Sequence, residues 1–258
     1  MNSLILLGIV ALLSYFFGNI NWAIIISKSR NKDIRKMGSG NPGTLNISRN
    51  LGLKAGLLTF FLDILKGVIP TLSAHLIFKG IVLFDSGFSL NDFAIYLCGF
   101  CVVLGHIFPV FLKFKGGKGI ASTIGVFLTC EAVHGGLWVV VSIMALVAAG
   151  LFIYFTEFGA MGSFIAITPP AISGSIRLFL VYANNVNPFC TGFYIASNVF
   201  IFAICFFTWL AHRKNIERML AGEEHPTSIK EMVVKLKAKK IAAKETETDN
   251  AIFNNESK

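Results

Sequence analysis

The sequence predicts an all-α integral membrane protein with about seven transmembrane helices, its amino terminus outside and its carboxyl terminus in the cytoplasm. Of the 258 residues, 54% are hydrophobic and 14% are charged, whereas about 25% are charged in an average soluble domain. Asp, Glu, Lys and Arg are absent from long stretches, namely 1–27, 93–112, 132–156, 158–176 and 178–211. Such stretches are near or above the roughly 20 residues that cross a bilayer core. The composition therefore argues against a soluble domain.

Seven apolar blocks predict the spans, in the order 4–27, 53–78, 93–112, 119–134, 137–156, 158–180 and 191–211. The first block lacks the positively charged start of a secretory signal, so we expect it to be a retained span. With the amino terminus outside, the segments 28–54, 113–118 and 212–258 lie inside, and they hold all but three of the 23 Lys and Arg residues. Cytoplasmic loops of membrane proteins carry such an excess of basic residues. The count therefore favours this orientation.

The net charge of +9 does not indicate a nucleic-acid partner, because the basic residues gather in short segments between apolar blocks, as in membrane proteins. The five cysteines lie in apolar stretches and are odd in number, so they predict no disulfide framework. The spacing of Cys98 and Cys101 favours core packing over a redox or metal site, since no second pair accompanies it. We expect no metal and no cofactor.

The chain divides into three parts. Residues 1–227 form the predicted transmembrane domain, in which Asp63 and Lys66 share a helical face inside the second block. An ion pair and a direct substrate role are equally consistent with that spacing. Residues 228–244 predict a basic amphipathic helix on the inner leaflet, opened by a capping box at Ser228 and Glu231. Residues 245–258 are polar and are expected to be disordered.

A first polar cluster follows the first span and begins with Gly38-Ser39-Gly40-Asn41-Pro42-Gly43. Glycines at this density allow consecutive backbone amides to turn toward one point and form an anion-binding nest. Ser39, Asn41 and Asn46 add neutral hydrogen-bonding groups, and Arg49 adds a planar cation suited to phosphate. The alternative is a tight interhelical turn with incidental charges.

A second cluster, Lys115-Gly116-Gly117-Lys118-Gly119, lies just before the fourth span. Free amides at a helix start, together with two lysines, attract an anion. The run is not a Walker A loop, because Gly119 stands where that motif needs Ser or Thr. His106, at the membrane edge, is as consistent with a packed neutral imidazole as with a catalytic one.

A third cluster follows the last span. His212 and Asn215 lie three residues apart, with Arg218 next on the same helical stripe. A histidine in this position could accept a proton from a substrate hydroxyl while the asparagine orients it; a polar helix cap is the alternative. Because all three clusters are predicted at the same membrane face, they indicate a small phosphorylated substrate that is bound under the inner leaflet.

These motifs, with Asp63-Ile-Leu-Lys66-Gly67 and Gly105-His-Ile-Phe-Pro109, resemble those of the bacterial acyl-phosphate:glycerol-3-phosphate acyltransferases. The resemblance implies a multi-pass enzyme of the bacterial cytoplasmic membrane that moves a fatty acyl group from acyl phosphate to the 1-hydroxyl of glycerol 3-phosphate. The products are 1-acylglycerol 3-phosphate and phosphate, in phospholipid biosynthesis. Membrane lipid and an enzyme that supplies acyl phosphate are implied partners.

The resemblance and the residue chemistry together assign three groups of residues. The catalytic group is His212, Asn215 and Ser39. The phosphate-binding group is Arg49, Gly40, Asn41, Asn46, Lys115, Gly116, Gly117, Lys118 and Gly119. The structural group is Asp63, Lys66 and Glu224.

Two other functions compete with this one. A transporter of an organic phosphate would also use a basic vestibule, but it should carry polar groups through the full bilayer depth. A divergent, non-catalytic paralogue is the second alternative, because the chain departs from the family at Gly18-Asn-Ile-Asn21 and at Pro226.

Overall fold

The computed structural model describes residues 3–83, 87–185, 187–224, 226–228, 234 and 238. Across these residues the chain is almost entirely helical, with two short 3-10 helices at Ile34–Lys36 and Val110–Leu112 and one isolated β-bridge between Val82 and Ser89. The α-helices are α1 (Ser3–Gly18), α2 (Trp22–Lys28), α3 (Thr44–Leu51), α4 (Leu53–Phe78), α5 (Leu90–Ile107), α6 (Ile120–Ala132), α7 (Gly136–Thr156), α8 (Gly159–Tyr182), α9 (Pro188–Ala211) and α10 (Arg213–Leu220).

The all-α membrane fold predicted from the sequence is confirmed. In the described part of the chain, six segments are long and apolar enough to cross a membrane: Ser3–Lys28, Leu53–Phe78, Leu90–Leu112, Gly136–Thr156, Gly159–Tyr182 and Pro188–Ala211. The predicted fourth span, 119–134, is the 13-residue helix α6, which is about 20 Å long. Because a hydrocarbon core is roughly 30 Å thick, α6 is shorter than a standard span.

Helix α6 nevertheless runs beside α5 for most of its depth. A Cβ on Gly119 would lie 3.1 Å from Ile107, near the end of α5. At the far end of α6, Nε2 of His134 lies 3.2 Å from Asp92, near the start of α5. We call the end of the bundle that holds Ile107 and Gly119 the site end, and the end that holds Asp92 the opposite end. The inside–outside orientation stays a prediction.

Glycines bring the helix backbones together. A Cβ on any of four glycines would lie only 2.1–2.3 Å from a carbonyl oxygen of a neighbouring helix. Small residues permit such close packing between membrane helices. The four approaches join Gly18 to Val102, Gly105 to Tyr15, Gly67 to Ser122 and Gly125 to Ile64. These contacts pack α1 closely against α5 and α4 closely against α6. They thereby hold in place the turn between α5 and α6, which carries the second cluster.

The opposite end holds a buried ion cluster. Arg177 of α8 lies 2.9 Å from Asp92, and the hydroxyl of Tyr182 donates to the same carboxylate at 2.7 Å. A buried charge is costly unless it is paired. Pairing explains how Arg177, which lies outside the basic segments of the sequence, is accommodated at this depth.

The predicted amphipathic helix 228–244 and the tail 245–258 lie outside the described residues, except for residues 228, 234 and 238. Just before residue 228, the chain contacts the turn between α7 and α8. Thr227 is buried, and its backbone amide donates to the carbonyl of Glu157 at 2.8 Å. The segment after α10 therefore packs against the site end of the bundle.

Candidate active site

The first cluster is a loop whose shape is set by Asn46 at the start of α3. The Asn46 side chain is buried; its oxygen accepts from the backbone amide of Ser39 at 3.2 Å, and its nitrogen donates to the carbonyls of Met37 and Asn41 at 2.9 and 3.0 Å. Gly38 has φ +53°, and a Cβ there would lie 2.4 Å from the Asn46 oxygen. Asn46 therefore uses its polar atoms to hold the loop, while the side chain of Ser39 remains exposed.

The second cluster folds back on the end of α5, and we call residues 115–119 the lysine turn. The amides of Gly116 and Gly117 donate to the carbonyls of Ile107 and His106 at 3.1 and 3.2 Å. These two amides, expected from the sequence to face an anion, instead hold the turn in place. The amides that remain for an anion are those of the first turn of α6, which follows Gly119.

The lysine turn lies against the first loop. A Cβ on Gly117 would lie 3.2 Å from the carbonyl oxygen of Pro42 and 2.3 Å from Nε2 of His106. A side chain at position 117 would therefore separate the first and second clusters. The side chain of Lys115, by contrast, is exposed and takes part in none of the side-chain hydrogen bonds or ion pairs found among the described residues.

The second and third clusters are in direct contact through Lys118. Its ammonium donates to the side-chain oxygen of Asn215 in α10. The Asn215 nitrogen donates to Glu224 at 2.6 Å, and Nε of Arg218 donates to the other oxygen of that carboxylate at 3.0 Å. The result is a chain of alternating donors and acceptors that fixes the position of the lysine charge.

Burial lowers the pKa of Lys118 from its ordinary value to about 8. Glu224 raises this pKa, and the cations Arg218 and Arg49 lower it.

Arg49 comes from the first cluster, and its guanidinium donates to the carbonyl of Pro226 and the hydroxyl of Thr227 at 3.1 and 3.0 Å. Residues from all three clusters thus act on the charge of Lys118.

His212 lies at the junction of α9 and α10, and its ring is buried against Phe164. Its Nδ1 lies 2.8 Å from the carbonyl oxygen of Thr208. A carbonyl only accepts, so Nδ1 carries the proton and Nε2 of the neutral ring has a free lone pair. Burial and the charge of Lys118 lower the pKa of His212 to about 4. The ring is therefore neutral near pH 7 and able to accept a proton.

Sequence reasoning missed several groups that shape this end of the bundle. The carbonyl of Thr208 orients the ring of His212, and the hydroxyl of Thr227 accepts a hydrogen bond from Arg49. Neither threonine belongs to a motif in the sequence. Asp63 and Lys66, for which the sequence left an ion pair and a substrate role open, lie 3.1 Å apart, and His106, which the sequence also left undecided, contacts Lys66.

The arrangement combines two functions. Cations on three separate segments surround the start of α6, which suits a phosphate group. A neutral histidine with a free Nε2 lies beside them. The fold and these residues define a multi-pass helical membrane protein with a group of cations and a neutral histidine at one end of the bundle.

Comparison with known proteins gives the family. Residues 8–222 match the family model described as glycerol-3-phosphate acyltransferase, and the chain belongs to that family. It is 36% identical over 219 residues to the glycerol-3-phosphate acyltransferase of Thermoanaerobacter sp. (strain X514), a match that covers 84% of this chain and 93% of the relative. It is 33% identical over 214 residues to that of Mycoplasmopsis pulmonis (strain UAB CTIP), covering 82% and 88%.

Solved structures give the same result. The chain resembles the crystal structure of PlsY (YgiH), an integral membrane glycerol 3-phosphate acyltransferase, in its glycerol 3-phosphate form, with a TM-score of 0.67 and 30% identity. That match covers 88% of this chain and 98% of the other. The lysophosphatidic acid form of the same protein matches with a TM-score of 0.65.

Proposed function

We propose that this membrane glycerol-3-phosphate acyltransferase uses acyl phosphate as its donor and acylates the 1-hydroxyl of glycerol 3-phosphate. The products are 1-acylglycerol 3-phosphate and inorganic phosphate. The observation that carries the proposal is the placement of His212, a neutral base with a free Nε2, next to the fixed cation Lys118. The family to which the chain belongs supplies the substrate class.

The reaction needs positioning and charge stabilisation more than a nucleophile of the enzyme. The hydroxyl oxygen attacks the acyl carbon, the bond from that carbon to the phosphate oxygen breaks, and phosphate leaves. The hydroxyl proton passes to Nε2 of His212 or to a substrate phosphate. Because phosphate is already a good leaving group, no acyl-enzyme intermediate is required, and oriented binding supplies much of the rate.

The remaining site residues fit this reaction by their charge and location. Lys118 and Arg49 hold the phosphate groups, the first turn of α6 adds amides, and Ser39 contributes an exposed hydroxyl. Asn215 fixes Lys118, and Glu224 fixes Asn215. Lys115 is placed to attract anionic substrates from the surrounding solvent.

An organic-phosphate transporter is less well supported. The middle of the bundle is packed with apolar side chains that are fully buried, among them Val102, Ile167 and Ile201. The charges at the opposite end are paired with each other in a closed cluster. A transport path would need polar groups between the two ends, so a site that opens at one end favours an enzyme.

The site end faces the cytosol in this proposal, and the membrane is the bacterial cytoplasmic membrane. The basic loops of the sequence lie at that end, as the distribution of Lys and Arg in membrane proteins requires. The donor is an amphipathic molecule, so its acyl chain enters from the bilayer while glycerol 3-phosphate enters from the cytosol. An enzyme that makes acyl phosphate is the expected partner.

The test is an assay of the purified protein in detergent or lipid with synthetic acyl phosphate and labelled glycerol 3-phosphate. We expect labelled lysophosphatidic acid with acyl phosphate and little with acyl-CoA, the control donor. Equal turnover with acyl-CoA would overturn the choice of donor. An absence of product with every donor, from protein that remains folded, would favour the non-catalytic paralogue.

A further inference from the structure

A buried polar network lies directly beneath the lysine turn and is separate from the groups assigned to substrate. It consists of Asp63 and Lys66 of α4 and His106 of α5, all at least nine-tenths buried. The Lys66 ammonium lies 3.1 Å from the Asp63 carboxylate and 2.7 Å from Nδ1 of His106, and it donates to the carbonyl of Ile20 at 2.6 Å. Three polar groups at this depth are costly and call for an explanation.

The partners of Lys66 determine the protonation of His106. An ammonium has three N–H donors and no acceptor, and three acceptors surround Lys66. Nδ1 of His106 therefore accepts, and the proton of the neutral ring resides on Nε2. A Cβ on Gly117 would be 2.3 Å from that Nε2. The Nε2 edge of the imidazole thus packs against the middle of the lysine turn.

The same ammonium also fixes the neighbouring loop. Ile20 lies in the break between α1 and α2, where its carbonyl is bound by Lys66. The next residue, Asn21, caps α2 by accepting from the amide of Ile24 at 3.0 Å, and it donates to the carbonyl of Pro42 at 3.3 Å. Pro42 is the residue of the first loop that approaches Gly117. Lys66 therefore stands at the centre of contacts that set the distance between the two phosphate-binding segments.

We propose that Lys66 and His106 are positioning residues that hold the lysine turn against the first loop, and that they thereby set the affinity for glycerol 3-phosphate. The inference rests on the proposed function and deepens it. Neither side chain touches substrate in this scheme. Their loss moves Gly117 away from the first loop, whereas Lys118 keeps its hydrogen bond to Asn215 and His212 stays in place, so the effect falls on affinity for glycerol 3-phosphate more than on turnover.

Two substitutions of His106 separate its two contacts. An asparagine places an oxygen near the position of Nδ1, so His106→Asn keeps an acceptor for Lys66 and loses the support under Gly117. A glutamine places its amide near the position of Nε2, so His106→Gln keeps that support. We expect His106→Asn to raise KM for glycerol 3-phosphate about tenfold with kcat within about threefold, and His106→Gln to restore most of the affinity.

The positioning role of the Lys66 ammonium is tested by the double variant Asp63→Asn/Lys66→Met, which removes both charges and leaves no unpaired ion. The chain offers a matched control at the opposite end, Asp92→Asn/Arg177→Met, a buried pair of the same kind. Both double variants are expected to lower the unfolding temperature in detergent. Only the first should raise KM for glycerol 3-phosphate, and KM for acyl phosphate should change little in either.

An unchanged KM in His106→Asn, or an equal rise of KM in the control pair, would overturn the inference. Failure of the proposed function is a separate result, because it appears as absent turnover in the unsubstituted protein. In that case affinity is measured without turnover, as the rise in unfolding temperature that glycerol 3-phosphate alone produces. This measurement takes the place of KM. The His106→Asn variant should then need about tenfold more ligand than the unsubstituted protein for the same stabilisation, and an equal requirement would overturn the inference.

Discussion

The ammonium of Lys118 donates a hydrogen bond to the side-chain oxygen of Asn215, which lies 97 residues further along the chain. This contact joins the turn before α6 to the helix after the last span. Because Asn215 also donates to Glu224, its amide cannot rotate without losing a partner. The lysine charge is therefore fixed next to His212 before any substrate binds, and such preorganisation is the main electrostatic contribution to catalysis.

The charge of Lys118 should appear in the pH profile. Its pKa is lowered to about 8, so the cation is lost as the pH rises through 8. We expect kcat/KM for glycerol 3-phosphate to fall above that pH in the unsubstituted protein. In Lys118→Arg the fall should vanish up to pH 10, because arginine keeps its charge. Rates measured from pH 6 to 10 test this, and a fall that persists in the arginine variant would assign it to another group.

Glu224 should tune the same titration. Its carboxylate raises the pKa of Lys118, so its neutralisation in Glu224→Gln should move the alkaline limb of the profile to lower pH. The neighbouring Glu223 is exposed, so Glu223→Gln is the matched control and should leave the limb in place. A shift of equal size in both variants would show a general surface-charge effect instead.

The proton-accepting role of His212 predicts a separation of kcat from KM. In His212→Ala, kcat should fall by about 10²- to 10⁴-fold, the usual contribution of a general base, while KM for glycerol 3-phosphate changes much less. Steady-state kinetics with both substrates varied measures the two constants. If KM rose and kcat were preserved, His212 would be a binding residue and a substrate phosphate would take the proton.

Much of the fold could be predicted from the sequence, because charge-free apolar blocks correspond closely to helices. Two features could not. The block 4–27 carries no charged residue, so the break between α1 and α2, which Asn21 caps through Ile24, is marked within it only by the neutral run Gly18-Asn-Ile-Asn21. The block 119–134 extends past the end of α6, since the turn after Ala132 carries no Asp, Glu, Lys or Arg to mark the boundary.

The candidate site was predicted by residue type more than by contact. Glycines, lysines and His212 indicated phosphate chemistry, but hydropathy and spacing do not show which polar atoms are satisfied within the protein. Asn46 thus proves to hold its own loop, and the amides of Gly116 and Gly117 prove to hold the lysine turn. Such roles depend on the approach of segments that are distant in sequence.

Gly117 should tolerate no side chain, because a Cβ would lie 2.3 Å from the ring of His106. We expect Gly117→Ala to raise KM for glycerol 3-phosphate by about tenfold or more, since the turn must move away from the first loop. Gly136→Ala is the control, because that glycine has nothing within 4 Å of its added Cβ. An unchanged KM in Gly117→Ala would contradict the assignment of this turn to glycerol 3-phosphate.

The close approach of α4 and α6 predicts a stability effect away from the site. A Cβ on Gly125 would lie 2.1 Å from the carbonyl oxygen of Ile64, so Gly125→Ala must push the helices apart, at a cost of about 1–3 kcal/mol in the free energy of unfolding. Gly150 of α7 has nothing within 4 Å of its added Cβ, and Gly150→Ala should leave stability unchanged or raise it by about 0.5–1 kcal/mol. Thermal unfolding of both variants in the same detergent measures the difference. Because α6 carries the lysine turn at its start, Gly125→Ala should also weaken binding of glycerol 3-phosphate, and equal stability of the two variants would show that this helix pair is not closely packed.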